Sequence, residues 1–382
     1  MIRVLLISHT SQSDTEGQPK SHCLAKMPGL ELCTLVPDRW KHYGQWRSPC
    51  VPVRPSFRFE VGKVSLPWVG PAQNYLHWYP GLKKLIQEFK PDVIDLWEEP
   101  WGLVSAHACR LRNQHFPQVK IISETEQNIS KRLPPPFEMF RKYTLKNADF
   151  AVARSNEAME VLREKGYKGP AGVVSNGVDA ELFQPMTQQV CRNALKPMSG
   201  FVVGYLGRLV EEKGILDLVD AVARCDSDVN LLLVGSGPLE TAIVDKSLQL
   251  GISDRVRIIP ARPLIELPQV MNAIDVMVLP SRTTPRWKEQ FGRVLIEAGA
   301  CGTAVIGSDS GAIPDVVGNG GLIFPEGNVE SLAAAITRLQ QDSELRKQLG
   351  AQGRQTVLEK YTWQQVAQQM HDIYNSVMKV NR

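Results

Sequence analysis

The chain lacks any stretch approaching the ~20 uninterrupted apolar residues of a membrane-spanning helix. Its start, Met-Ile-Arg-Val-Leu-Leu-Ile-Ser, lacks the basic region, the longer apolar run and the small-residue cleavage site of a secretory signal. Cysteine is sparse. The seven (Cys23, Cys33, Cys50, Cys109, Cys191, Cys225 and Cys301) are odd in number and never spaced Cys-x-x-Cys. That argues against a disulfide framework and a zinc site, and predicts a reducing, cytoplasmic setting. No short-period repeat or low-complexity segment is present. No Gly-x-Gly-x-x-Gly follows the first apolar run, where His9-Thr-Ser-Gln-Ser-Asp stands instead, which argues against a nicotinamide-dependent oxidoreductase. The basic residues lack the clustering of a nucleic-acid binder.

What is present is an ordinary globular composition. Apolar residues make up 43% and charged residues 22%, and 382 residues are too many for one core and suit two domains. The net charge of +4 is uneven. Residues 1–180 hold 24 Lys and Arg against 18 Asp and Glu, whereas 181–382 hold 20 against 22. A mildly basic first half is either a plain solvated face or a surface for an anionic membrane or phosphate-bearing ligand.

Short Val/Ile/Leu-rich runs recur at Ile2–Ser8, Val93–Leu96, Lys120–Ser123, Phe150–Ala153 and Gly172–Ser175. They recur again at Phe201–Tyr205, Val229–Val234, Val256–Ile259, Val276–Leu279, Ala304–Gly307 and Gly321–Phe324. Being apolar throughout rather than alternating, they predict strands buried on both faces of parallel sheets. Helical periodicity fills the gaps at Gly81–Lys90, Ser155–Lys165, Leu216–Arg224 and Val329–Leu349, and returns in an amphipathic Thr362–Lys379. Strand and helix alternating twice over predict two Rossmann-like α/β halves joined by a linker at 180–199, with Pro185 and Pro197. Residues 9–30 and 36–80 read as irregular, the latter rich in Trp40, Trp46, Trp68 and Trp78. They are read either as a packed insertion or as an acceptor-binding surface that touches lipid.

Two constellations point to chemistry. In Glu289-Gln-Phe-Gly-Arg-Val-Leu-Ile-Glu297-Ala, a predicted strand ends at Pro280-Ser281 and a helix opens near Phe291-Gly292. Glycine there permits close backbone approach, and amides at a helix start attract anions. Glu289 and Glu297 flank that point, and a carboxylate accepts from two sugar hydroxyls at once. In Gly207-Arg208-Leu-Val-Glu-Glu-Lys213-Gly214, an Arg and a Lys follow the first strand of the second half. Such a pair is often surface charge; at a strand's carboxyl end it supplies the fixed cations a diphosphate needs. A third loop, Gly235-Ser236-Gly237-Pro238, is a weak phosphate signal by itself.

Along most of its length the chain resembles the retaining GT-B glycosyltransferases of family 4. The resemblance rests on Ser175-Asn176-Gly177-Val178-Asp179, the Arg208/Lys213 and Gly235 loops, and Ala273-Ile-Asp275 before Leu279-Pro280-Ser281. The Glu289/Glu297 motif and Ser310-Gly311-Ala312-Ile313-Pro314-Asp315 complete it, in the family's order. It implies a GT-B fold, two Rossmann-like α/β/α domains facing a central cleft. Residues 1–180 would form the acceptor side, residues 181–363 the donor side, and a helix at 364–382 would cross back to the first domain.

The resemblance further implies transfer of a sugar from a UDP- or GDP-sugar to a glycan or lipid-linked acceptor, in polysaccharide or glycoconjugate biosynthesis. The enzyme would be cytoplasmic, with peripheral contact at the inner face of a membrane. Arg208 and Lys213 would hold the diphosphate, with Gly207 beside them. Glu297 would bind the ribose, and Glu289 the donor sugar. The amides around Phe291, Gly292, Val294 and Leu295 would support sugar and phosphate, and Arg262 would border the base. No metal cofactor is implied, because the Arg/Lys pair does a cation's work. Retention would follow from same-face attack, the departing phosphate taking the acceptor's proton. The first half departs from the family: its first loop has no glycine pair and Ser123-Glu124-Thr125-Glu126-Gln127-Asn128 has no histidine. His9, Glu98, Glu124, Glu126 and Asn128 are the acceptor-side candidates. Alternatives are a GT-B epimerase or hydrolase, and a non-catalytic glycan-binding protein.

Overall fold

The computed structural model describes residues 1–42, 45–65, 73–195 and 198–379; Trp68 and Pro197 lie outside them. The chain forms two units, Met1–Gly177 with Trp363–Arg382, and Val178–Thr362.

The first unit contains β1 (Ile2–Ile7), β2 (Leu30–Pro37), β3 (Trp40–His42), β4 (Gln45–Arg47), β5 (Arg58–Gly62), β6 (Val93–Leu96), β7 (Lys120–Thr125), β8 (Phe150–Ala153) and β9 (Ala171–Val173). Seven of these make one parallel sheet in the order β5-β2-β1-β6-β7-β8-β9, with β3 and β4 a separate antiparallel pair. Successive side chains of a strand point to opposite faces. Accordingly Leu5 and Ile7 enter one core with Leu82, Ile86 and Phe89, while Val4 and Leu6 enter another. That second core is closed by Trp363, Val366, Ala367, Met370, Tyr374 and Val377, the apolar stripe of the helix Trp363–Lys379.

Two strands of this sheet fall outside the runs read from sequence. β2 is paired to β1 along its length, from Ile2 opposite Leu30 to Ile7 opposite Leu35. β5 is an edge strand in the stretch read as irregular; its polar residues sit where only one neighbour is needed, so no continuous apolar run marks it.

The second unit contains β10 (Phe201–Leu206), β11 (Val229–Val234), β12 (Val256–Ile259), β13 (Val276–Leu279), β14 (Ala304–Ser308) and β15 (Gly321–Phe324). They form a parallel sheet in the order β12-β11-β10-β13-β14-β15. The expected linker at 180–199 is instead part of this unit: Phe183 is buried in its core and Gln188–Ala194 is helical. The long helix expected over 329–349 is two helices, Val329–Gln341 and Ser343–Lys360. Between them Asp342 accepts from the Leu345 N–H at 2.8 Å and starts the second. Among the described residues no helix is long and apolar enough to cross a membrane.

Candidate active site

Both sheets reverse strand order beside their first strand, at β1/β6 and at β10/β13. Open parallel sheets bind ligands at such switch points, outside the strands' carboxyl ends.

In the second unit four loops converge there. The Gly207 N–H donates to the Val234 carbonyl at 3.0 Å and the Leu209 N–H to Ser236 at 2.9 Å, which joins the loops after β10 and β11. Gly214 has φ +64, and a Cβ on it would lie 2.0 Å from the Pro280 carbonyl oxygen, so glycine is what lets the loops after β10 and β13 touch. Gly311 is alike: φ is +59 and a Cβ would lie 2.0 Å from the Glu289 carbonyl oxygen, to which Ala312 N–H also donates at 3.1 Å.

These contacts bring together what the sequence separates by 76 residues. Lys213 Nζ stands 2.6 Å from Glu289 Oε2, which also accepts from Ser281 Oγ at 2.8 Å. Lys213 Nζ lies 4.8 Å over the Trp287 ring, a further electrostatic support for its charge. Arg208 extends outward with its side chain 47% exposed, 3.6 Å from Glu212. Glu297 is buried beside Arg293 at 3.7 Å, and burial raises its carboxyl above the ordinary carboxylate value.

The other expected donor-side residues differ in what they leave open to a ligand. The Phe291 ring is buried in the core and packs against Tyr361 at 5.8 Å, so only its backbone can serve a ligand. The Leu295 N–H donates to Gly292 within the first helical turn, which removes it from the free amides; Val294 precedes it in that turn. Arg262 follows the edge strand β12, two strands from β10, and pairs with Glu266 at 3.1 Å rather than with the cluster. Ser281 and Trp287 belong to the cluster and were missed, because neither carries a charge that singles it out in sequence.

In the first unit Glu98 is buried and accepts from the His9 backbone N–H at 2.6 Å and stands 2.7 Å from His9 Nδ1. Burial works against its ionisation, yet His9 and His77 prevail and hold its carboxyl down at about 2. Glu124 is a correction to the expected acceptor side. It is buried, with Lys20 Nζ at 2.6 Å on one oxygen and Arg154 on the other, so both are taken inside the unit. Lys20 and Arg154 also lie over the Trp97 ring at 4.3 and 5.0 Å. Asp95 accepts from Tyr374 Oη at 2.6 Å, and burial beside Glu124 pushes its carboxyl up to about 8. Glu126 donates its backbone N–H to Glu99 at 2.8 Å and lies 3.5 Å from Arg154; Asn128 donates to Glu157 at 3.3 Å.

Two family profiles match. Glycosyl transferases group 1 covers residues 167–356, and Glycosyltransferase Family 4 covers 46–182. The chain belongs to the group 1 (family 4) glycosyltransferases. This glycosyltransferase is 29% identical over 304 residues to the D-inositol 3-phosphate glycosyltransferase of Corynebacterium urealyticum, matching 74% of this chain and 67% of that one. The sucrose-phosphate synthase of Thermosynechococcus elongatus superposes with a TM-score of 0.78 at 24% identity, over 100% of both chains. Anabaena Alr3699/HepE, solved in complex with UDP and glucose, gives 0.72 at 18% identity, over 98% of this chain and 100% of that one. The fold is GT-B.

Proposed function

We propose that this glycosyltransferase moves a sugar from a UDP- or GDP-sugar to a saccharide or lipid-linked acceptor, with retention and without a metal. The observation that carries it is the Lys213–Glu289–Ser281 cluster with Arg208 beside it, at the switch point of the second sheet. Breaking a sugar–phosphate bond builds negative charge on the departing diphosphate. Arg208 and Lys213 are preorganised for that charge, and each such contact is worth about 10²–10³ in rate. Glu289, already held by Lys213 and Ser281, presents its carboxylate to donor-sugar hydroxyls; Glu297 takes the ribose. Retention rests on the resemblance to retaining family members. The UDP complex of the structural neighbour supports a nucleotide-diphosphate donor.

A screen of UDP- and GDP-sugars for hydrolysis, read by mass spectrometry with and without EDTA, tests this reading. Turnover that survives EDTA and is lost in Arg208→Ala and Glu289→Ala sustains it; wild-type turnover in both variants sinks it. The anomer of the product decides retention. The basic excess of residues 1–180, with Trp46 47% and Val53 90% exposed, suits a membrane-borne acceptor. Binding to anionic vesicles that salt releases is the expected result.

A further inference from the structure

The helix Phe137–Asn147 carries the chain from β7 back to β8. Its inner side, Arg141, Thr144 and Leu145, is buried. Met139, Lys142, Tyr143 and Lys146 are exposed and share the opposite helical face, with Met139 66% and Tyr143 37% exposed. The charge around this face has one sign. Residues 129–148 hold Lys131, Arg132, Arg141, Lys142 and Lys146 against one acid, Glu138. That acid is taken up internally: Arg141 Nη2 donates to both of its oxygens, and the Leu133 N–H donates to it at 3.4 Å. The helix Leu103–His115, from which Asn113 donates to Tyr143 Oη at 3.2 Å, carries no acid either. Aromatic rings gather at the start of the face. Phe137 lies 4.8 Å from Tyr75 and 6.3 Å from Phe140.

Exposed apolar residues of the second unit keep different company. On its helix Glu240–Gln249, Val244 and Leu248 are exposed, but Glu240 and Asp245 share that helix and Lys246 is paired with Asp220 at 2.6 Å. Scattered apolar residues amid balanced charge are ordinary surface. Apolar and aromatic residues on a face whose free charge is positive are the composition of a helix that lies in the headgroup layer of an anionic bilayer.

We propose that the Met139–Lys142–Tyr143–Lys146 face, with the exposed Arg132 just before it, docks the first unit on an anionic lipid surface. This rests on the membrane-borne acceptor of the glycosyl-transfer reading and deepens it by naming the part of the chain that meets the membrane. Arg132, Lys142 and Lys146 pair with lipid phosphates, while Met139 and Tyr143 enter the headgroup layer. The loop before the helix leaves the carboxyl end of β7. Docking therefore sets the start of the helix against lipid at the same edge of the sheet that carries His9 and Glu98 after β1 and β6.

The test is co-sedimentation of the whole chain with phosphatidylcholine vesicles, with and without phosphatidylglycerol, at low and high salt. The wild type should bind the anionic vesicles alone and leave them in salt. Near an anionic leaflet each lysine is worth about fivefold in affinity, so Lys142→Gln combined with Lys146→Gln should weaken binding about 30-fold. Both side chains are exposed, so a thermal melt of this variant should match the wild type. A second measurement reads insertion. Met139→Cys carrying an environment-sensitive dye, with the exposed Cys50 replaced by serine, should shift to the blue on anionic vesicles. Hydrolysis of the sugar nucleotide that the screen finds active should be unchanged in both variants, since the donor cluster lies in the other unit. Wild-type affinity in the double variant, or a dye that ignores vesicles the chain binds, would overturn the proposal. Self-association that the double variant abolishes would give the face to a second copy and overturn it likewise. If the double variant binds normally while Trp46→Ser releases the vesicles, the membrane-borne acceptor stands and this face does not. A chain that hydrolyses its donor yet ignores every vesicle overturns the docking and leaves glycosyl transfer standing.

Discussion

In the first unit the charges of the helix after β1, of the end of β7 and of the residue after β8 turn inward: Lys20, Glu124 and Arg154 are buried against one another and Trp97. In the second, the loops after β10 and β13 keep Arg208 half exposed and hold Lys213 and Glu289 where glycine-lined turns meet. The strand order is the same from the third strand to the sixth. The same strand order therefore does not fix how the loops dispose their charges. What differs is exposure: the glycine turns of the second unit leave Arg208 half exposed beside the Lys213–Glu289 pair, whereas Lys20 and Arg154 of the first unit are fully buried with Glu124.

The largest expected effect strikes the inward-turned side. Lys20→Met leaves Glu124 with one of its two cations, a change of about 3–5 kcal/mol for a buried pair. Scanning calorimetry should show one transition lowered and the other in place; a uniform shift of both would break the distinction between the units. On the outward side Arg208→Ala should leave stability untouched and cut donor hydrolysis about 10²–10³-fold. A fall under about tenfold would put the donor charge elsewhere. Gly311→Ala forces a side chain against the Glu289 carbonyl at a left-handed φ, at about 1–3 kcal/mol, and should weaken UDP-induced stabilisation. Unaltered UDP binding would show that Glu289 does not depend on that contact.

The His9–Glu98 pair sharpens the comparison through pH. Glu98 is held from 4.5 down to about 2, so its stabilisation is full above about 4.5 and is lost as pH falls toward 2. His9 is raised above 6.5, so its share is full below 6.5 and is lost as pH rises through the raised value. Stability from the pair peaks between those limits, and urea melts of Glu98→Gln should lose the peak. Smallest of all, Arg262→Ala should alter stability by no more than about 0.5 kcal/mol, since its partner Glu266 lies in its own exposed turn. A large loss of UDP affinity there would restore Arg262 to the base.

The second unit was the more legible in sequence. Each of its strands is a short apolar run, and Gly207, Gly214 and Gly292 mark where loops turn. Lys213 and Glu289 could be named as candidates, but their 2.6 Å contact depends on Gly214 passing Pro280, which no local pattern encodes. In the first unit, Lys20, Glu124 and Arg154 are 104 and 30 residues apart from partner to partner and read as surface charges. Burial of β2 follows from its pairing with β1, again a long-range fact. Periodicity reports which face of an element is apolar; it is silent on which distant charge will be buried with which.

Tyr374 donates to Asp95 across 279 residues, and its helix closes the core beneath β1. The first unit to leave the ribosome is thus the last able to finish. Its sheet waits with an uncovered apolar face while all of Val178–Thr362 is made, on the order of ten to forty seconds at ordinary synthesis rates. During that interval the nascent chain offers chaperones a specific target, the surface that Trp363, Met370 and Tyr374 will cover.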